Sequence, residues 1–323
     1  MNHLIEAVKK FPELSVAVVG DLMLDRYIMG DIERISPEST APVVVFREEK
    51  VIPGGAANTA YNIALLGARV HLVGRIGRDA TGDIMRDLLK HPGIKTLGLV
   101  SGAFVTTEKS RIVVKSNQIV RLDKEDISYC DTKTEDTICK RLHTMGTCHA
   151  IVVSDYAKGT ITPRIAEAIL DVGRKKGIPV VVDTKPRHAE LFRGATIFTP
   201  NKKEAEEMSG VAILDQKSLE KAGHLLQSKL QSHILITRGA EGMSLFTENS
   251  IKHFPSVARE VYDVTGAGDT VAALFALGLA SKLSFEDAAS LATVAAGIVV
   301  GKQGTATIAP EELLHAVTQL QSA

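Results

Sequence analysis

The sequence predicts an α/β domain: a mostly parallel sheet with helices on both faces and a small β-rich flap beside it. Three observations carry this. Short apolar runs recur along the chain, helical patterns separate most of them, and two longer extended segments fit neither class.

The elements follow in order. "MNHLIEAVKKFPEL" at the N-terminus reads as a short amphipathic helix. "SVAVVG" (15–20) is a first buried strand, because a continuous apolar run suits a strand covered on both faces. Residues 25–50 are extended and β-rich. A helix over 57–67, the strand "VHLVG" (70–74) and a helix over 80–90 come next. Residues 103–123 alternate apolar and polar, the period of a strand with one wet face. Further strands are expected at 149–154, 178–183, 195–199 and 233–237, and further helices at 132–146, 162–176 and 216–230. Two long helices, about 267–281 and 285–300, precede a last one at 310–321. Residues 25–50 and 103–123 continue a parallel sheet poorly, so they are expected to pair as an antiparallel flap on a single domain spanning 1–323. No internal repeat or low-complexity segment divides the chain.

Composition narrows the function classes. A chain of 323 residues, 45% hydrophobic and 24% charged, has ample material for a large globular core. With 38 basic and 38 acidic residues, nothing favours nucleic acid or an anionic membrane as partner. Cys130, Cys139 and Cys148 are too sparse for a disulfide framework or a zinc site, which suggests a reducing cytoplasm. The N-terminus lacks a signal-peptide core, and no apolar run approaches the roughly 18–20 residues of a membrane span.

Four stretches carry chemistry. In "DVTGAGDT" (263–270) a glycine-rich loop opens a long apolar helix. A helix N-terminus presents unpaired N–H groups to an anion, and Gly266, Ala267 and Gly268 permit close approach. Asp269 beside that spot repels phosphate unless it takes a proton from an attacking hydroxyl; otherwise it only favours the helix dipole. In "PGGAANTAYNIALLGA" (53–68) Gly54 and Gly55 precede a helix carrying Asn58, a hydrogen-bonding partner for hydroxyls. Asp21 follows the first strand, at the end where open α/β sheets bind ligands, and an acid there suits a polyol. Capping and tight packing would equally explain these residues. In "TPNKKEAEEMSG" (199–210) Asn201 and Glu204 either form a capping box or hold Mg²⁺ through water. Rival phosphate motifs fail: "AGIVVGKQG" (296–304) misses the P-loop spacing, and no GxGxxG follows the first strand.

Taken together, "GGAANTAYNIALLGARVHLVGRIGRDATG", "TPNKKEAE", "ITRGAEGM" and "YDVTGAGDTVAALFALGLA" resemble, in order and spacing, the signatures of the ribokinase/PfkB carbohydrate kinases. The resemblance covers about residues 15–310 and implies a three-layer α/β/α sandwich with a β-sheet lid. It implies ATP and Mg²⁺ as cofactors, Asp269 as base, and Gly266–Gly268 as the anion hole for the transferring phosphoryl group. It places Asn201 and Glu204 near Mg²⁺, lines the nucleotide with Thr237, Gly239 and Gly242, and suggests a potassium-like cation near Asp263 and Thr265. Asp21, Gly54, Gly55 and Asn58 would hold the sugar. Within the family, "GDLMLDRYIMGDIERISPE" (20–38), "SDYAKG" (154–159), "IVVGKQGTATI" (298–308) and residues 107–126 are similar to bacterial D-glycero-β-D-manno-heptose-7-phosphate kinases. That similarity implies phosphorylation of the anomeric hydroxyl of a heptose 7-phosphate, a step toward lipopolysaccharide core, by a stand-alone kinase that dimerises through the lid. "ISPESTAPVV" and "VDTKPRH" depart from the group's usual wording. A phosphorylated substrate needs basic partners: Lys158 first, then Arg26, Arg34 and Arg111 of the lid segments, then Lys185. Another sugar kinase of the family, or a non-catalytic sensor of sugar and ATP, are the alternatives.

Overall fold

In the structure, a computed structural model, residues 2–115, 117–258, 260–302 and 306–319 are described. Parts of the expected segments fall outside these residues: residue 1, residue 116, residues 303–305 of the 298–308 stretch, and residues 320–321.

In chain order the strands are β1 (Ser15–Gly20), β2 (Leu22–Ile35), β3 (Pro42–Gly55), β4 (Arg69–Gly77), β5 (Ile94–Gly102), β6 (Thr107–Val114), β7 (Asn117–Lys124), β8 (Ala150–Asp155), β9 (Val180–Thr184), β10 (Ile197–Phe198), β11 (His233–Thr237), β12 (Met243–Phe246) and β13 (Ile251–Phe254). The helices are α1 (Asn2–Lys9), α2 (Ala56–Leu65), α3 (Ala80–Leu88), α4 (Thr132–Thr144), α5 (Pro163–Lys176), α6 (Lys202–Ser209), α7 (Gln216–Leu230), α8 (Ala267–Ala280), α9 (Phe285–Val300) and α10 (Pro310–Gln319). Local chemistry sets many of the ends. Asp79, Asp131, Thr162 and Ser284 each accept a backbone N–H as N-caps, and Gly177 ends α5 in the left-handed conformation.

Nine strands form the main sheet in the order β13-β12-β11-β10-β9-β8-β1-β4-β5. The pairings from β11 to β5 are parallel, and β12 and β13 add an antiparallel edge. Alternate residues of β1 show why helices cover both faces. Val16 and Val18 join a core with α2, α8 and α9, while Ala17 and Val19 join a second core with α4, α5 and α7. This is the expected three-layer α/β/α sandwich.

The two β-rich segments pair in a second, four-stranded sheet of order β3-β2-β6-β7. It is mixed rather than antiparallel, because β2 and β6 run parallel. The two strands are joined through the main sheet and not by a hairpin, so nothing forces them to oppose. Strands β5, β12 and β13 were not expected. The reason in β5 is its edge position, which leaves only Ile94 of "IKTLGLVSG" buried and gives no clear apolar period. No helix among the described residues is long and apolar enough to cross a membrane.

The sheet order also locates the site. From β1 the chain returns on one side as β4 and later on the other as β8, so a crevice opens where β1 and β8 end. Asp21 and Tyr156 lie there.

Candidate active site

Helix α8 begins at Gly266, whose φ of 81° turns the loop into the helix at a conformation few other residues adopt. Ala267 N–H donates to Val264 O at 3.2 Å. The amide of Ala267, expected in the anion hole, is therefore occupied. The N–H groups of Gly266, Gly268 and Asp269 have no acceptor among the described residues and remain available to an anion.

Asp269 is 3% exposed. Its Oδ2 accepts from Asn58 Nδ2 at 2.8 Å, and its Oδ1 accepts from Thr59 Oγ1 and Tyr156 OH, each at 3.0 Å. Burial pushes its pKa up to about 6, against the pull of these three hydrogen bonds. A carboxylate with that pKa is ionised at neutral pH yet basic enough to accept a proton.

Asp21 is 1% exposed, and its carboxylate accepts from backbone N–H groups at the crevice. Oδ2 accepts from the N–H groups of Tyr156 (3.0 Å) and Lys158 (2.8 Å), and Oδ1 from that of Thr160 (3.0 Å). Both oxygens thereby shape the loop after β8. Asp155 accepts the fourth amide, that of Ala157 at 2.8 Å, where φ reaches 55°. A Cβ on Gly54 would meet Asp25 Oδ2 at 2.3 Å, and one on Gly55 would meet Asp21 O at 2.6 Å. Gly54 and Gly55 thus make room for these protein groups.

Asn201 and Glu204 form the capping box at the start of α6, each side chain accepting from the other's backbone N–H at 3.0 Å. Glu204 also pairs with Lys185 at 2.5 Å, so both of its oxygens are engaged. Thr237 bridges to Asn201, which ties the end of β11 to this corner. Gly239 is open to solvent, whereas a Cβ on Gly242 would meet Phe254 O at 2.0 Å, so Gly242 serves packing. Asp263 accepts from Thr265 N–H at 2.8 Å in the turn before α8.

Asp183, at the end of β9, accepts no hydrogen bond among the described residues. It faces Gly268: a Cβ there would lie 3.8 Å from Asp183 Oδ2. Burial, with the charges of Glu204 and Asp269, pushes its pKa up to about 8. Because the folded value lies above the ordinary one, its stabilising contribution is complete only at low pH and is lost as pH rises through about 8. Asp183→Asn is therefore expected to stabilise the ligand-free protein by about 1–2 kcal/mol, more at about pH 8.5 than at about pH 5. Thermal melting at both pH values checks this, and a loss of stability at the higher pH would refute it.

A cleft of about 460 Å³ adjoins Tyr156 and is lined by Lys109, Lys158, Lys185 and Arg187. Lys158 pairs there with Glu125 at 2.6 Å. Lys109 and Lys185 place their ammonium groups 5.6 and 5.2 Å from the Tyr156 ring. Burial holds Lys109 below its ordinary pKa. The arginines expected here lie elsewhere. Arg26 pairs with Glu108 at 2.6 Å and with Glu49, Arg111 pairs with Asp25 at 2.5 Å, and Arg34 is exposed on β2. Arg26 and Arg111 are thus neutralised by carboxylates of neighbouring strands.

Sequence reasoning missed Tyr156, Asp183, Asp25, Lys109 and Arg187. Tyr156 sits within "SDYAKG" and Asp183 within "VDTKPRH", where neither spacing nor composition marks the single residue. Lys109 and Arg187 carried no signal beyond their charge.

Comparison with known proteins agrees with this geometry. The "Bifunctional protein HldE" of Citrifermentans bemidjiense is 48% identical over 304 residues, covering 93% of this chain and 62% of that protein. The chain thus spans about three fifths of the length of such relatives. Among solved structures, Arabidopsis thaliana ribokinase complexed with ribose and ATP is similar at TM-score 0.75 and 20% identity, covering 94% of this chain and 98% of that one. Escherichia coli phosphofructokinase-2 in complex with potassium is similar at TM-score 0.80 and 17% identity, covering 95% and 99%. Residues 13–312 match the family described as pfkB family carbohydrate kinase. With that match spanning nearly the whole chain, and a buried carboxylate set against an open helix N-terminus, this chain belongs to the pfkB family of carbohydrate kinases.

Proposed function

We propose that this kinase transfers the γ-phosphoryl group of ATP to the anomeric O1 of D-glycero-β-D-manno-heptose 7-phosphate, giving the 1,7-bisphosphate on the route to ADP-heptose and lipopolysaccharide core. One observation carries the choice of a phosphorylated sugar. Lys109, Lys158, Lys185 and Arg187 outnumber Glu125 and Glu207 in the lining of one cleft beside Tyr156, an excess of positive charge that suits a phosphate. The sequence similarity of residues 20–38, 107–126 and 154–159 to heptose-7-phosphate kinases supports the heptose.

In this reading Asp269 takes the proton of the acceptor hydroxyl as its oxygen bonds to the γ-phosphorus. The bond to the β,γ-bridging oxygen breaks and ADP leaves with its electron pair. The amides of Gly266, Gly268 and Asp269 meet the charge on the transferring group. Asp183 accepts no hydrogen bond among the described residues, and Glu204 beside it is already taken by Lys185 and the Asn201 N–H, so Asp183 is the oxygen donor here that suits a hard cation. Bound Mg²⁺ would supply charge neutralisation on the ATP phosphates, with Asp183 and Glu204 near it. Asp263 and Thr265 would stand near a monovalent cation. The second sheet would act as the lid, and its exposed Ile35, Phe46 and Leu122 suit burial against a second copy of the chain. The three free cysteines suit a reducing cytoplasm.

The test is ADP release with MgATP against heptose 7-phosphate, sedoheptulose 7-phosphate, fructose phosphates, ribose and adenosine. Turnover on heptose 7-phosphate is expected, and Lys158→Ala should raise its KM about tenfold while leaving the KM for ATP within about twofold. Turnover confined to another member would sink the heptose assignment. Silence across the panel with intact ATP binding would favour a sensor.

A further inference from the structure

We propose that Tyr156 is a positioning residue for Asp269, fixing which carboxylate oxygen meets the acceptor hydroxyl and linking that choice to the second sheet and the nucleotide corner. The proposal rests on Asp269 being the base.

The carboxylate is loaded unevenly. Oδ1 accepts from both Thr59 Oγ1 and Tyr156 OH, while Oδ2 accepts only from Asn58 Nδ2. An oxygen with two donors has little capacity left for a third proton. Oδ2 is therefore the oxygen free to accept from substrate. Thr59 and Asn58 come from α2, whereas Tyr156 follows β8, so the tyrosine approaches the carboxylate from a different part of the fold.

Tyr156 is itself closely held. Its N–H donates to Asp21 at 3.0 Å, and Asp155 and Arg187 hold the next residue through its N–H and its carbonyl. Its ring lies beside Lys109 of β6 and beside Lys185, which pairs with Glu204 of α6. One side chain thus touches the base, the four-stranded sheet and the corner that carries Glu204. Burial and the charge of Asp269 hold the phenol well above its ordinary pKa, so it stays a donor throughout the working range. The other charged groups acting on this centre are Asp25 of β2 and Asp183 of β9, and both disfavour ionisation of the phenol. Packing alone would require the ring but not the hydroxyl.

Tyr156→Phe keeps the ring and its contacts with both lysines and deletes only the donor. The expected result is an acidic limb of the kcat/KM profile shifted upward by on the order of half to one pH unit. The kcat should fall about tenfold, with both KM values within about twofold of the parent. Placing 3-fluorotyrosine at 156, a more acidic phenol of nearly the same volume, should shift the limb downward. If Tyr156→Phe does not fold, the fluorotyrosine protein decides alone. An unmoved limb in a folded variant would overturn the proposal. Asp269→Asn in parallel separates the two claims. An inactive Asp269→Asn with an unmoved Tyr156→Phe limb rejects only the tyrosine, and near-normal turnover by Asp269→Asn rejects the base and the tyrosine together.

Discussion

Asp269→Asn is expected to lower kcat by roughly 10³-fold while leaving ATP affinity within about twofold. The amide keeps the size of the carboxylate and one acceptor oxygen, which Thr59 and Tyr156 can still donate to, while Asn58 Nδ2 loses its acceptor. What it loses is the capacity to take a proton. ATP would contact the helix amides and the α6 corner, not this side chain, so binding should persist and single-turnover chemistry should not. The parent's activity should fall as pH drops through about 6, the pKa of the buried carboxyl. Near-normal turnover in the variant, or a parent profile flat through that range, would remove Asp269 as the base.

Asp21→Ala is expected to unfold the loop that carries Tyr156 and Lys158, with a stability loss of about 3 kcal/mol or more. Three N–H groups lose their acceptor at once, and a buried donor left unpaired costs about 1–3 kcal/mol. The loop has little reserve, because Ala157 already sits at φ 55°, a conformation that costs roughly 1 kcal/mol for a residue with a Cβ. The melting temperature should fall by roughly 5–10 °C, and turnover should collapse because Tyr156 and Lys158 move together. Asp21→Asn keeps one acceptor oxygen and should lie between the two. An Asp21→Ala protein with unchanged melting and only a raised acceptor KM would return Asp21 to the role of sugar ligand.

The sequence by itself determined the architecture and the position of the base. Apolar runs separated by helical periods can bury both faces of a parallel sheet in few other ways, and α8, with twelve of its fourteen residues, Asp269 to Ala280, buried, was visible as an apolar run behind two glycines. Asn58 and Asp269 were both picked out, though their contact spans 211 residues of chain. Tertiary structure alone decided what each carboxylate faces. Asp21 and Asp183 both stand at strand ends and look alike on paper. Asp21 accepts from three amides and shapes a loop, while Asp183 accepts no hydrogen bond among the described residues and is the group with a pKa of about 8. The arginines and lysines divided in the same way. Arg26 and Arg111 pair with acids beside them, while Lys109 meets the Tyr156 ring across the crevice. Composition and spacing report which groups a chain owns, but a charge acts through its nearest neighbours, and here those come from strands far apart in sequence.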